Sequence, residues 1–208
     1  MKQEKNEQDW DAQLNIRTSG RDASAEDENH YPYEPTPYSV LQRFTESGRI
    51  DKESFLIDYG SGKGRAAFFL HHETGCRALG IEYNPSFFQE ALRNLNDYCG
   101  NSDGISFILQ DAEKYEVPEE ADCFWFFNPF SDRILKAVLA RLTDSYYVNP
   151  RRITLYFYYA SDEYVSELMN SDMFMFDDEI DCSDLFPGKD SRERILIFET
   201  LQEPNSDL

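Results

Sequence analysis

Residues 54–64 read Ser-Phe-Leu-Ile-Asp-Tyr-Gly-Ser-Gly-Lys-Gly. An apolar run ends at Asp58, and glycines then fall at alternate positions, Gly60, Gly62 and Gly64. A run of that length before a glycine cluster predicts a strand. Ala66, Ala67, Phe69 and Leu70 give the next segment one apolar face and predict a helix over Lys63–His72. Alternate glycines let the backbone turn tightly and approach a ligand closely, and the helix start offers unpaired N–H groups. A merely tight strand-to-helix turn would look the same, so the surrounding chain has to decide.

Downstream, strand and helix patterns alternate. Residues 78–83, 105–109, 122–127 and 153–159 are short apolar runs. Between them lie helical patterns over Pro85–Tyr98, with Phe88, Ala91, Leu92 and Leu95 on one face, and over Ser131–Tyr147, with Ser131 as N-cap. A short helix follows over Asp162–Met169. Residues 173–176 and 194–200 are two further strands joined by an acidic, loop-like stretch holding Pro187 and Gly188, too short of helical pattern to cross over, so they pair antiparallel. The order predicts an α/β fold: a doubly wound, mostly parallel seven-stranded sheet ending in an antiparallel β-hairpin, with one reversed edge strand.

Upstream, residues 1–29 are polar and rich in Asp and Glu, which predicts a flexible tail. The texture changes at Tyr31, where residues 31–44 combine three prolines with three tyrosines ahead of an amphipathic run from Ser39 to Phe44. The expected division is a tail over 1–29, one domain over 30–202 and a C-terminal tail over 203–208.

The chain has 208 residues, and 40% hydrophobic content is enough for a real core. No run approaches the roughly 18 apolar residues that span a bilayer, and no apolar stretch near Met1 reads as a secretory signal. With 20 Lys and Arg against 40 Asp and Glu, the net charge is −20, a sign that phosphate backbones repel. Arg151-Arg152 and the pair Arg192, Arg194 are the clearest basic clusters, and both read as solvated strand flanks. Cys76, Cys99, Cys123 and Cys182 are too scattered for a zinc site or a disulfide framework, so they are expected as buried free thiols in a reducing cytoplasm, with no metal bound. His71 and His72 sit where a helix ends, a favourable place for partial positive charge.

Two acids extend the glycine loop into a site. Glu82 lies 24 residues after Asp58, at the end of the second strand, near the spacing at which a carboxylate grips ribose hydroxyls. Asp111 follows the third strand. In an open α/β sheet those carboxyl ends share one crevice. A solvent-facing strand end for Glu82 and a turn cap for Asp111 are the plainer alternatives.

A dinucleotide loop needs Gly-x-Gly-x-x-Gly; here the pattern is Gly-x-Gly-x-Gly preceded by Asp58. That pattern resembles motif I of the class I S-adenosylmethionine-dependent methyltransferases, and the resemblance extends over about residues 31–200. It implies the seven-stranded sheet with a reversed final hairpin, and S-adenosylmethionine as cofactor. Asp58, Gly60, Gly62 and Gly64 would lie beneath its methionine part, Glu82 at its ribose, and Asp111 and Ala112 at its adenine, with Ser61 and Tyr83 among the cofactor-binding residues. Asn128-Pro129-Phe130 resembles the Asn/Asp-Pro-Pro-Tyr/Phe motif of amino-methyltransferases, one proline short. Tyr33-Glu34-Pro35-Thr36-Pro37 resembles the Thr-Pro segment that some of them place over the methionine end.

The sulfonium favours aromatic faces. The catalytic candidates are therefore Asn128, whose amide could accept a hydrogen bond from a substrate amine and also meet the cofactor, with Phe130 and Tyr38. Asn128 could equally be a turn residue before Pro129. The expected activity is methyl transfer to a small molecule or a protein side chain, with no membrane partner. A non-catalytic cofactor-binding module and an RNA or DNA amino-methyltransferase are the alternatives.

Overall fold

A computed structural model describes residues 7–24, 26–188 and 190–201. The opening apolar run becomes strand β1 (Phe55–Tyr59), buried along its whole length. Its side chains alternate between two cores, Leu56 on one face and Phe55, Ile57 and Tyr59 on the other. The remaining strands are β2 (Arg77–Glu82), β3 (Ile105–Leu109), β4 (Cys123–Phe126), β5 (Thr154–Tyr158), β6 (Phe174–Asp181) and β7 (Arg194–Thr200). They form one sheet in the order β3-β2-β1-β4-β5-β7-β6. Every pairing from β3 to β5 is parallel, while β7 runs antiparallel to both β5 and β6.

The expected architecture is present, with local corrections. The reversed strand is β7, inside the sheet, and β6 forms the edge. Strand β6 also continues past Phe176 through the acidic stretch that reads as loop, with a register shift between Phe176 and Asp178. Its charges are exposed, as suits an edge that must not recruit another strand. Arg49 donates to Asp177 and Asp178, and Arg194 to Glu179.

Helices α2 (Tyr38–Glu46), α3 (Arg65–Thr74) and α4 (Pro85–Asp97) cover one face; α5 (Asp132–Val148) and α6 (Asp162–Met169) cover the other. Helix α3 starts two residues later than its apolar pattern suggests, because Gly64 is left-handed at φ 91° and belongs to the loop. Ser131 takes the N-cap position of α5 without capping it; its hydroxyl donates to Asn29. All four cysteines are free thiols, but Cys99 is exposed.

The largest correction is at the N-terminus. Residues 7–14, expected in a tail, form helix α1 (Glu7–Leu14), and Trp10, Leu14 and Ile16 are buried in the core. Asp11 anchors the segment. It accepts hydrogen bonds from Thr18 N at 2.8 Å, Thr18 Oγ1 at 2.7 Å and Tyr38 Oη at 2.6 Å. Burial pushes its carboxyl up, but those bonds and the Arg65 charge prevail and hold it below its ordinary value. Arg65, buried in α3, donates to Glu7, to Thr18 Oγ1 at 2.7 Å and to the Thr36 carbonyl at 3.3 Å. Composition misses this because polar groups are buried here with their partners. The segments 1–6 and 202–208, including the C-terminal tail, lie outside the described residues.

Candidate functional site

The carboxyl ends of β1, β2, β3 and β4 open onto a narrow cavity of about 70 Å³. Gly60, Gly62, Glu82, Tyr83, Asp111, Ala112, Asn128 and Phe130 line it, so the site residues expected from four separate segments do meet. The glycine loop has positive φ at Gly60, Gly62 and Gly64. A Cβ at Gly60 would collide with Pro129, one at Gly62 with the Tyr33 ring, and one at Gly64 would lie 2.5 Å from Phe107. Only glycine satisfies both the backbone angle and the space.

Glu82 is buried at the cavity wall. Its Oε2 accepts from Gly62 N at 2.7 Å and its Oε1 from Asn84 N at 2.7 Å. It is no solvent-facing strand end. Burial raises its carboxyl above the ordinary value, against those N–H groups. Asp58 lies beneath the loop in a small hollow shared with Arg65, Thr36 and Glu34. Burial, then the Glu82 charge, pushes Asp58 up to about 7. Ser61 Oγ is buried with no hydrogen-bond partner among the described residues, and it faces Gly80, away from the cavity.

Asp111 proves to be a turn cap as well as a cavity wall: it accepts from Glu113 N at 3.1 Å and pairs with Lys114. Tyr83 stacks on His30 with ring centres 3.7 Å apart. Phe130 is buried against Tyr59, Phe126 and Tyr164.

Two catalytic expectations change. Tyr38 is not at the cavity; it is 1% exposed and bonded to Asp11, with the Arg65 guanidinium 4.3 Å from its ring centre. Asn128 lines the cavity, but its amide is engaged: Nδ2 donates to Tyr159 O at 2.6 Å and Oδ1 accepts from Ser161 N at 3.2 Å. With donor and acceptor fixed by backbone groups, the amide ties the end of β4 to the end of β5.

Residues 26–34 lie across the cavity as a strap. Tyr33 pairs with Asp22 through both backbone bonds, at 2.8 and 3.0 Å, and Ser131 N donates to Asn29 O at 2.9 Å. His30, Tyr31, Pro32 and Tyr33 thereby form the roof, with Tyr33 over Gly62. The Tyr-Pro segment meets the glycine loop as expected. His30 was not legible as a site residue; its position immediately before the Tyr-Pro segment was the available signal.

A second cleft of about 550 Å³ opens beside the first and shares Tyr31, Pro32, Glu34, Phe127 and Asn128 with it. Its far wall is Tyr158, Tyr159, Ser161, Phe186 and Glu193, none of which the sequence singled out. Among the described residues no cluster of His, Cys, Asp and Glu could hold a metal, and no helix is long and apolar enough to cross a membrane.

No protein-family model matches the chain. A protein-lysine N-methyltransferase of Saccharolobus islandicus (strain REY15A) is 33% identical over 67 residues. That match spans 32% of this chain and 42% of the relative, less than half its length. An RNA methyltransferase from Salinibacter ruber in complex with S-adenosyl-L-homocysteine superposes with a TM-score of 0.60 at 21% identity, covering 84% of this chain and 99% of that one. Magnesium protoporphyrin IX methyltransferase from Synechocystis PCC 6803 with bound SAM superposes with a TM-score of 0.56 at 15% identity, over 80% of this chain and 77% of that one. At those identities the likeness is one of fold.

Proposed function

We propose that this chain, whose fold is that of the class I methyltransferases, is itself an S-adenosylmethionine-dependent methyltransferase with its cofactor in the first cleft and its acceptor in the second. The observation that carries the reading is the joint placement of the loop and the acid. Gly60 and Gly62, both left-handed and without room for a Cβ, line the cavity, Gly64 packs against Phe107 behind them, and Glu82, bonded to Gly62 N, faces the same cavity. A carboxylate there suits the two hydroxyls of a ribose. Tyr83, Asp111 and Ala112 suit the adenine, and the Asp58 hollow under Gly60 and Ser61 suits the methionine end.

When bound, the cofactor would supply an electrophilic methyl group on sulfur, open to displacement by the acceptor's lone pair. The protein's part is to orient the acceptor and to exclude water. Tyr31, Pro32 and Phe127 serve both ends, because they separate the two clefts. A cavity of about 70 Å³ is far below the ~300 Å³ of ordinary ligand sites, so the strap over residues 26–34 must shift to admit the cofactor.

The acceptor is a small molecule or a protein side chain. Nucleic acid is disfavoured by the net charge of −20 and by the engagement of the basic pairs. Arg151 donates to the Ala121, Pro118 and Ser145 carbonyls, Arg152 pairs with Glu199, Arg192 with Asp190 and Arg194 with Glu179. The test is transfer of label from methyl-labelled cofactor into cell-extract fractions of protein, RNA and small molecules. Label in protein or metabolite fractions is expected. Label confined to RNA would overturn the acceptor class, and cofactor binding without transfer into any fraction would make the chain a binding module.

A further inference from the structure

We infer that the second cleft receives a primary alkylammonium group, held by the Glu193 carboxylate between aromatic walls. This rests on the methyltransferase reading above and names the substrate class of that site.

The cleft is roomy, about 550 Å³, and it meets the first at Phe127 and Asn128. Its walls include Tyr31, Phe127, Tyr158 and Tyr159, and the Arg192 guanidinium already lies 4.6 Å from the Tyr159 ring centre, which leaves Tyr31, Phe127 and Tyr158 as the aromatic residues for a cation. Aromatic faces attract a cation, and more strongly once water is excluded. The charged groups on the lining are Arg21, Glu34 and Glu193. Arg21 and Glu34 pair with each other at 3.7 Å near the surface. Glu193 accepts a hydrogen bond from Tyr158 Oη, and no cation pairs with it among the described residues. The nearest arginines in sequence are engaged elsewhere: Arg192 pairs with Asp190 at 3.0 Å and Arg194 with Glu179 at 3.0 Å. Among the described residues, then, an anion would meet Glu193 without a paired cation to offset it, and a neutral ligand would add no counter-charge.

Where the two clefts share Asn128, the backbone is strained. Asn128 and Tyr159 are both left-handed, at φ 40° and 53°, and the Asn128 amide joins them. Such residues persist where the surroundings over-determine them, commonly at functional sites. The net charge of −20 adds long-range attraction for a cation. Before transfer the ammonium releases one proton to water at the open mouth of the cleft, which frees the nitrogen lone pair to form the nitrogen–carbon bond.

The experiment uses the full chain and methyl-labelled cofactor with three acceptors: an N-terminally acetylated peptide containing one lysine, the same acetylated peptide with norleucine in its place, and a linear triamine. Label on the lysine peptide or on the triamine, and none on the norleucine peptide, is expected; which of the two is labelled tells whether the group comes from a protein side chain or a free amine. Glu193→Gln should raise the acceptor KM roughly 10- to 100-fold, with kcat less affected and S-adenosylhomocysteine affinity unchanged by calorimetry. Glu193→Asp should recover part of that loss. Labelling of the norleucine peptide, no labelling of either amine, or a KM that Glu193→Gln leaves within twofold would overturn the inference. If S-adenosylhomocysteine binds and amines are not methylated, this inference alone fails; if it does not bind, the methyltransferase reading fails with it.

Discussion

The two clefts are neighbours built on opposite principles. The first is made of backbone and of residues at fixed spacing around three strand ends: Asp58, the glycines, Glu82 and Asp111. The second is made of side chains from four distant segments, the strap, the end of β4, the end of β5 and the loop before β7. A group with an invariant shape can be held by backbone geometry, and backbone geometry leaves a spaced signature in sequence. A cleft that selects one partner is set by side chains, which leave none. If that contrast is right, substitutions in the two clefts should separate cofactor binding from acceptor use.

The largest effect is expected at the loop. Gly64→Val combines a left-handed φ of 91° with a Cβ 2.5 Å from Phe107. Backbone strain and overpacking together should cost about 2–6 kcal/mol in denaturant unfolding.

Next is Arg65, which holds Glu7, Thr18 and Thr36 on either side of the strap that walls both clefts. Arg65→Ala removes the partner of Glu7 and Thr18 and leaves Asp11 buried, so about 3–5 kcal/mol of stability should go. Both cofactor affinity and acceptor KM should worsen, the one substitution expected to cross the divide between the clefts.

The pH dependence of stability reports on Asp58, buried in the hollow beneath the glycine loop. Unfolded, Asp58 ionises near 3.8; folded, near 7. The folded state therefore holds the proton more tightly, and the stabilisation from this group is complete below about pH 4 and lost as pH rises through 7, by up to about 4 kcal/mol. Asp58→Asn should flatten that slope in urea titrations between pH 4 and 7, and an unchanged slope would assign it to other groups.

Glu82→Ala should weaken S-adenosylhomocysteine binding about 10- to 100-fold, the worth of a charge-assisted hydrogen bond, and leave the acceptor KM in place. At the far end of the scale, Arg21→Ala breaks an ion pair exposed on both sides, and stability should move by less than about 1 kcal/mol.

What was legible follows the same divide. The sheet, its parallel order and the loop could be read because fully buried strands are largely apolar runs, as Phe55–Ile57 is before Asp58, and because a left-handed turn with no room for a Cβ calls for glycine. The acidic half of β6 could not: an edge strand exposed to water need not be apolar. Helix α1 was hidden by its charges, since Asp11 and Glu7 find their partners in Thr18, Tyr38 and Arg65, and the last is more than fifty residues away. Trp10 and Leu14, four apart, were the trace it left. Asn128 lines the first cavity, but sequence shows a carboxamide and not the backbone groups of Tyr159 and Ser161 to which it is bonded.

The central claim is that the glycine-loop cleft is an S-adenosyl site, and titration calorimetry tests it most directly. S-adenosylhomocysteine should bind at one molecule per chain, with weaker binding to Glu82→Ala, and NAD should give no heat of binding. Heat with NAD and none with S-adenosylhomocysteine would contradict the account at its foundation.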